Sequence, residues 1–187
     1  MANGGYNHFC PVSKACELLE PRWTLLILCE MWSGSTRFNE IRRGVPGMSP
    51  TLMVKRLREM EANGLIVRSQ NDATGDIAYR TTEMAKELEP IVHALGKWAH
   101  RNVDADVTLE KLDARILMWN MRRKIDASAL PSRRRSVTAE LKAMTSAWIG
   151  LSSLETEIAH DKISLIGDTT LAASMENWMV RSSYAIA

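Results

Sequence analysis

The chain lacks the features that mark several large protein classes. None of its apolar runs reaches the roughly 18 residues that a membrane-spanning helix needs. Its start, "MANGGYNHFCPV", has neither the basic opening nor the apolar centre of a secretory leader. The three cysteines, Cys10, Cys16 and Cys29, cannot all pair within one chain, and their spacings match no zinc pattern. A reducing cytoplasm, with no membrane partner, is the simplest setting for such a chain. No glycine loop cradles a phosphate, no nucleophile elbow occurs, and no two carboxylates stand at a useful spacing. Nothing therefore argues for an enzyme, a cofactor or a metal. His93 and His100, seven apart, share a helix face without a third ligand, and the six tryptophans suit a core or an interface. Internal repeats and low-complexity tracts are absent too.

What the chain does have is core material and unevenly placed charge. At 45% hydrophobic, 187 residues are enough for one large domain or two small ones. The net charge is only +2, yet Arg37, Arg42, Arg43, Lys55, Arg56 and Arg58 stand against Glu40 alone between residues 37 and 58. Such a cluster attracts a polyanion, although a charge run is more often a solvated face.

The order of elements gives that cluster a meaning. Cys10-Pro11 marks a helix start, with proline at the first helical position, and that helix ends near Glu20-Pro21. "RWTLLILCEMW" is apolar on nearly all sides and predicts a buried central helix stopped by Gly34. Thr36 is placed to cap a third helix, "RFNEIRRG". Ser49 and Pro50 then open a helix in which Met53, Leu57 and Met60 recur at i, i+4 and i+7. "LIVRSQ" and "IAYRTT", separated by "NDATGD", read as a hairpin. Three helices and a two-stranded hairpin are the order of a winged helix-turn-helix, in which the helix before the hairpin enters the DNA major groove.

The fourth helix has the two faces this role needs. Thr51, Lys55 and Arg58 lie about 140° to 200° around from Met53. One face would hold the domain while the other meets bases and phosphates. Ser49 and the first-turn N–H groups suit a phosphate at the positive helix end. Arg37, Arg42 and Arg43 would contact the DNA backbone, and Arg68 and Arg80, flanking the hairpin, the next phosphates. Asp72 and Asp76 at the hairpin tip argue against deep insertion into the minor groove.

From Thr82 a long helix is expected, kinked at Pro90. Its Met84, Leu88, Ile91, Leu95 and Trp98 follow a 4-3-4-3 spacing, the seam of a helix packed along a partner. Homodimerisation would cover that stripe, and so would the C-terminal half of the same chain. The polar, acidic stretch "NVDADVTLEKLDA" places a boundary at 103/104. Beyond it "ILMWNMRRKID" mixes apolar and basic residues, "TAELKAMTSAWIG", "SLETEIAHDK" and "TTLAASMENWMV" read as helices, and "ISLIG" as a short strand. The fold class is mainly α with a small hairpin (α+β): a winged helix-turn-helix domain, 1–103, and a smaller C-terminal α/β region, 104–187.

The segments "CPV", "RWTLLIL", "RFNEI", "RRGVPGMSPTLMVKRLREMEANGLI" and "YRTTEMAKEL" run from Cys10 to Trp98 in the order found in the HxlR family of bacterial transcriptional regulators, relatives of the MarR group. The chain resembles that family. The resemblance implies a homodimeric winged-helix protein bound to double-stranded DNA, with the long helix and the N-terminal segment at the dimer interface. It departs from the family at Thr81, usually leucine, and in the acidic "NDATGD" hairpin tip. In some members the cysteine of "CPV" senses oxidants or electrophiles, which makes Cys10 a redox candidate here. Cys10 also sits at a helix start, where the dipole raises thiol reactivity, but an inert small hydrophobe is the alternative.

"LDARILMWNMRRKIDASALP" and "VTAELKAMTSAWIGLSSLETEIAHDKISLIGD" resemble a sterol-carrier-like domain. That would imply a pocket for a small hydrophobic effector; plain support of the dimer is the other reading. Only "SRRRSVT" remains between Pro131 and Ala139 to supply strands, so strand sequence is eroded or missing there. The leading function is a ligand- or thiol-responsive transcriptional regulator. The rival is a small-molecule carrier whose basic helix is incidental.

Overall fold

The computed structural model describes residues 5–6, 9–126, 128, 136–166, 174–175 and 177–185. The chain divides into two units, Met1–Val92 and His93–Ala187.

In the first unit, helices α1 (Pro11–Leu19), α2 (Thr24–Trp32), α3 (Phe38–Gly44) and α4 (Pro50–Ala62) precede a hairpin of β1 (Ile66–Gln70) and β2 (Ile77–Thr81). Proline opens α1 and α4, where its missing N–H has no intrahelical partner to lose. The core is built around Ile27 and Leu28 of α2, Ile41 of α3, the Met53, Leu57 and Met60 stripe of α4, and Leu65 and Ile66 at the start of the hairpin, all fully buried. The central helix is thus α2, but it is not enclosed all round. Leu26 is 53% exposed, while Glu30 is buried with its carboxylate against Gly44 of α3. An ideal Cβ at Gly44 would lie 1.8 Å from Glu30 Cδ, so a larger residue there would have to push the Glu30 carboxylate out of its place.

Two helix starts differ from expectation by one or two residues. α2 begins at Thr24, not Arg22, because Trp23 is held at φ 86° in the left-handed region, with its ring against Gly47 and under the Arg22 guanidinium. α3 is preceded by Arg37 as its cap residue, not Thr36. The carboxylate of Glu40 reaches back and accepts from both the Thr36 and Arg37 backbone N–H groups, at 2.9 and 3.0 Å, replacing the hydroxyl cap.

The hairpin is antiparallel, with Ile66 opposite Thr81 and Gln70 opposite Ile77. Its turn is closed by Asn71, whose side-chain oxygen accepts from Ala73 and Thr74, and by Gly75 at φ 71°. The Tyr79 N–H donates to the Thr36 carbonyl at 2.8 Å, tying β2 to the segment ahead of α3.

The expected long helix is two helices, α5 (Glu83–Glu87) and α6 (Glu89–Asn102), broken at Leu88. Pro90 has no N–H for the Lys86 carbonyl and its ring crowds that carbonyl, so the break comes ahead of it instead of a kink within it.

The second unit adds α7 (Ala105–Leu109), α8 (Ala114–Lys124), β3 (Ser136–Ala139), α9 (Leu141–Ile149), α10 (Leu154–Ala159) and β4 (Ile163–Ile166). Its core gathers Leu117, Met121, Met144, Ala147, Trp148, Leu154, Ile163, Met175 and Met179. The side chain of Asp113 caps α8 and pairs with Arg115 at 2.7 Å, and Gly150 ends α9 in the left-handed conformation. Thr138 and Ala139, expected in a helix, lie in β3, paired with Ser164 and Ile163 of β4. Cross-strand pairing overrides the helical pattern that follows them. Among the described residues this sheet has two strands. Residues 131–135, in the stretch short of strand sequence, lie outside the described residues, as does half of the helix expected over "TTLAASMENWMV".

The overall class is the expected one, mixed helix with two small antiparallel sheets, the first a hairpin that follows three helices and a fourth two-faced one. No described helix is long and apolar enough to cross a membrane.

Candidate nucleic-acid interface

The outward face of α4 is set by its inward one. With Met53, Leu57 and Met60 fully buried, Thr51, Lys55 and Arg58 are all exposed and line one shallow concavity with Pro50, Val54 and Glu59. Ser49 caps the helix, its hydroxyl oxygen accepting from Leu52 N–H at 3.3 Å. The Ser49 O–H and the Thr51 N–H remain to donate at the positive end of the helix dipole.

The cations around α4 fall into distinct groups. Lys55, 70% exposed, lies 3.9 Å from the Glu59 carboxylate, while Arg56 bonds to the same carboxylate from a side chain only 13% exposed. Arg56 thus belongs to the protein side of α4 and not to the outward cluster its charge suggested. Arg58, Arg42, Arg68 and Arg80 are exposed, and none is within ion-pair distance of a carboxylate among the described residues. Arg42 and Arg43 occupy the last turn of α3, where a cation complements the helix dipole. Arg37 donates to Asp76 at the hairpin tip, 3.3 Å away. That ion pair, invisible in the sequence because its partners are 39 residues apart, holds the tip against the start of α3.

Arg68 and Arg80 are not brought together. Arg68 is opposite Tyr79, and Arg80 is opposite Val67. Successive residues of a strand alternate faces, so the two guanidiniums project from opposite faces of the hairpin. Arg68 shares a face with Ile66 and Tyr79, which turn toward the core.

The apolar stripe of α5 and α6 is mostly open. Ile91, Leu95 and Trp98 are 63%, 52% and 54% exposed, and Met84 is exposed as well, while Leu88 packs against the core of the first unit. In the second unit Tyr184 stacks on His93 at 4.8 Å and lies so close to Gly96 that a Cβ there would sit 2.4 Å from its ring. The C-terminal segment therefore covers the His93 and Gly96 side of α6, leaving Leu95 and Trp98 uncovered. Cys10 is the cap residue of α1, half-buried, and accepts from Ser13 through its carbonyl.

A helix-turn-helix whose fourth helix turns a basic, hydroxyl-bearing edge to solvent beside a β-wing defines the winged helix-turn-helix class. Residues 18–107 match the HxlR-like helix-turn-helix family. The chain is 35% identical over 100 residues to the HTH-type transcriptional regulator YvaP of Bacillus subtilis (strain 168), a match covering 52% of this chain and 93% of YvaP. It is 32% identical over 96 residues to the HTH-type transcriptional regulator YybR of the same organism, covering 51% of this chain and 77% of YybR. A solved structure of the redox regulator HypR in its oxidized form aligns over 51% of this chain and 99% of that one, at 32% identity and a TM-score of 0.47. The chain belongs to the HxlR-like helix-turn-helix family.

The Glu40 cap yields a pH dependence. Its two backbone hydrogen bonds, to Thr36 and then Arg37, hold the carboxyl below its usual 4.5. A folded-state value below the unfolded one stabilises the fold fully above pH 4.5, and that contribution is lost as pH falls through the lowered value. Glu40→Ala should cost about 1 kcal/mol at neutral pH. The difference from wild type, measured by urea unfolding, should shrink as pH is lowered from 4.5. A difference independent of pH would mean the cap acts through packing and not through its charge.

Proposed function

We propose that this protein is a homodimeric, sequence-specific regulator of transcription that places α4 in the major groove of double-stranded DNA. The observation that carries this is the division of α4: Met53, Leu57 and Met60 are committed to the core, leaving Thr51, Lys55 and Arg58 together on the open side. Thr51 and the two cations would meet base edges, with Ser49 and the first-turn N–H groups on a phosphate. Arg42 and Arg43 would bind the flanking backbone. Arg37 would join them only by leaving Asp76, and of Arg68 and Arg80 only one would face a given run of phosphates. The rival, a small-molecule carrier with an incidental basic helix, should shift no specific site in a gel.

Residues 1–103 form the DNA-binding and dimerisation domain on this reading, since α6 runs on to Asn102. The dimer seam is the open row of Met84, Ile91, Leu95 and Trp98, with Leu88 anchoring it to the first unit's core. Residues 104–187 support the dimer or carry a small hydrophobic effector in a sterol-carrier-like fold. Cys10, at the head of α1, serves as the thiol switch: oxidation there would alter the N-terminal segment and release DNA.

Three experiments test these assignments. Where Lys55 or Arg58 touches a base, its change to Ala should cost about 1 to 3 kcal/mol of operator affinity and relax sequence preference at that base. Contact with phosphate alone should instead weaken binding evenly across sequences and reduce the salt slope. Full operator binding by the double variant would remove α4 from the interface. Replacing Leu95 and Trp98 by Glu should give monomers with much weaker DNA binding, because two half-sites about one helical turn apart need two helices; a dimer persisting in sedimentation would place the seam elsewhere. A mild oxidant should lower operator affinity in wild type but not in Cys10→Ser, and equal loss in both would exclude this thiol.

A further inference from the structure

The outward side of α4 carries hydrocarbon as well as charge. Val54 shares the wall of its concavity with Thr51, Lys55 and Arg58, and is 39% exposed there. A single exposed valine is ordinary on a protein surface. Its neighbours set this one apart. At about 100° per residue, Thr51, Val54 and Arg58 fall within about 60° of arc, on successive turns of the helix. The isopropyl group therefore lies on the same face as the hydroxyl and the guanidinium.

Neither packing nor helix formation accounts for it. Val54 belongs neither to the first unit's buried core nor to the partly buried residues packed against that core. Its β-branching also lowers helix propensity relative to alanine or lysine. The same branching suits it to a contact made without rearrangement. On a helix a valine holds one χ1 rotamer in about 90% of cases, so its two methyls point in fixed directions. Little side-chain freedom is then lost on binding.

Base chemistry selects what such a group can meet. In the major groove G, C and A present only donors and acceptors, whereas T adds a C5-methyl. Pressed against the amino group of cytosine or adenine, the isopropyl would strip water from a donor and return no acceptor. Against guanine it would strand two acceptors in the same way. Thymine alone gains from the contact.

We propose that Val54 is a specificity-determining residue of α4 and reads the C5-methyl of one thymine in each DNA half-site. This rests on the major-groove placement of α4 proposed above, and adds a base identity that the cations cannot supply. Lys55 and Arg58 only donate hydrogen bonds, so a methyl is invisible to them. Removing that methyl leaves their contacts in place and takes away the one made by Val54.

Deoxyuridine provides the test, being thymidine without the methyl and with the same hydrogen-bonding edge. The full chain is first used to enrich its preferred duplex from a random-sequence pool. Each thymine is then replaced in turn by deoxyuridine, and affinity is measured for wild type, Val54→Ala and Thr51→Ser. For wild type, one thymine per half-site should lose about fourfold, what the burial of one methyl group is worth. In Val54→Ala the same replacement should change affinity by less than about twofold, because the partner of the methyl is gone. Alanine favours a helix and position 54 lies outside the core, so this variant should fold as wild type. Thr51 carries a methyl too, and Thr51→Ser should keep the full difference. Absence of any sensitive thymine would overturn the proposal, as would a sensitivity that persists in Val54→Ala or vanishes in Thr51→Ser. A chain that enriches no sequence at all would instead overturn the proposed function, and the thymine contact would fall with it.

Discussion

Everything described for α4 depends on three side chains being out of water. Met53, Leu57 and Met60 each contribute about 1.5 to 3 kcal/mol by burial, and together they fix the rotation of the helix about its axis. Turning α4 by a single residue would expose that stripe and bring Arg58, or in the other sense Glu59, into the core, a far greater cost. The outward residues need contribute almost nothing to folding. On the proposed function, stability and recognition would occupy opposite sides of one helix, and either could change without damaging the other.

The ion pairs on the open side are weak by design of their surroundings. Arg37 with Asp76 and Lys55 with Glu59 are both solvent-exposed, and exposed pairs are worth about 0 to 1 kcal/mol. A phosphate can displace such a carboxylate. On the proposed function the pairs would keep flexible cations near the positions in which they would work. Arg56 is the contrast: its own side chain is nearly enclosed although the Glu59 carboxylate it meets is not, so it belongs to the packing of α4.

Much of this was legible in the sequence because the signals were local. Cys10-Pro11, Ser49-Pro50, Asn63-Gly64 and the i, i+4, i+7 methionine and leucine pattern each depend on a few neighbouring residues, and the element order followed from them. Errors arose where a distant partner decides. The cap of α3 is the exception, moved by one residue by a near neighbour, because Glu40 folds back onto Thr36 and Arg37. Thr138 and Ala139 went to a strand because Ile163 and Ser164 pair with them across a gap of helices. The break at Leu88 needed only a stricter view of Pro90. Arg68 and Arg80 could be assigned to opposite faces only once the hairpin register was known.

The acidic hairpin tip bears on how much DNA sequence one copy can distinguish. Asp76 is held to Arg37 and Asp72 stands beside it in the turn, so the tip offers the minor groove negative charge. On the proposed function, reading would fall to the short outward edge of α4, which spans few base pairs. A mismatch costs about 1 to 3 kcal/mol, while a genome presents on the order of a million or more competing sites. Three well-read pairs carry too little information to single out one address in such a pool. Doubling the reading heads, and so multiplying their selectivities, is what would turn a locally modest reader into a usable genomic address.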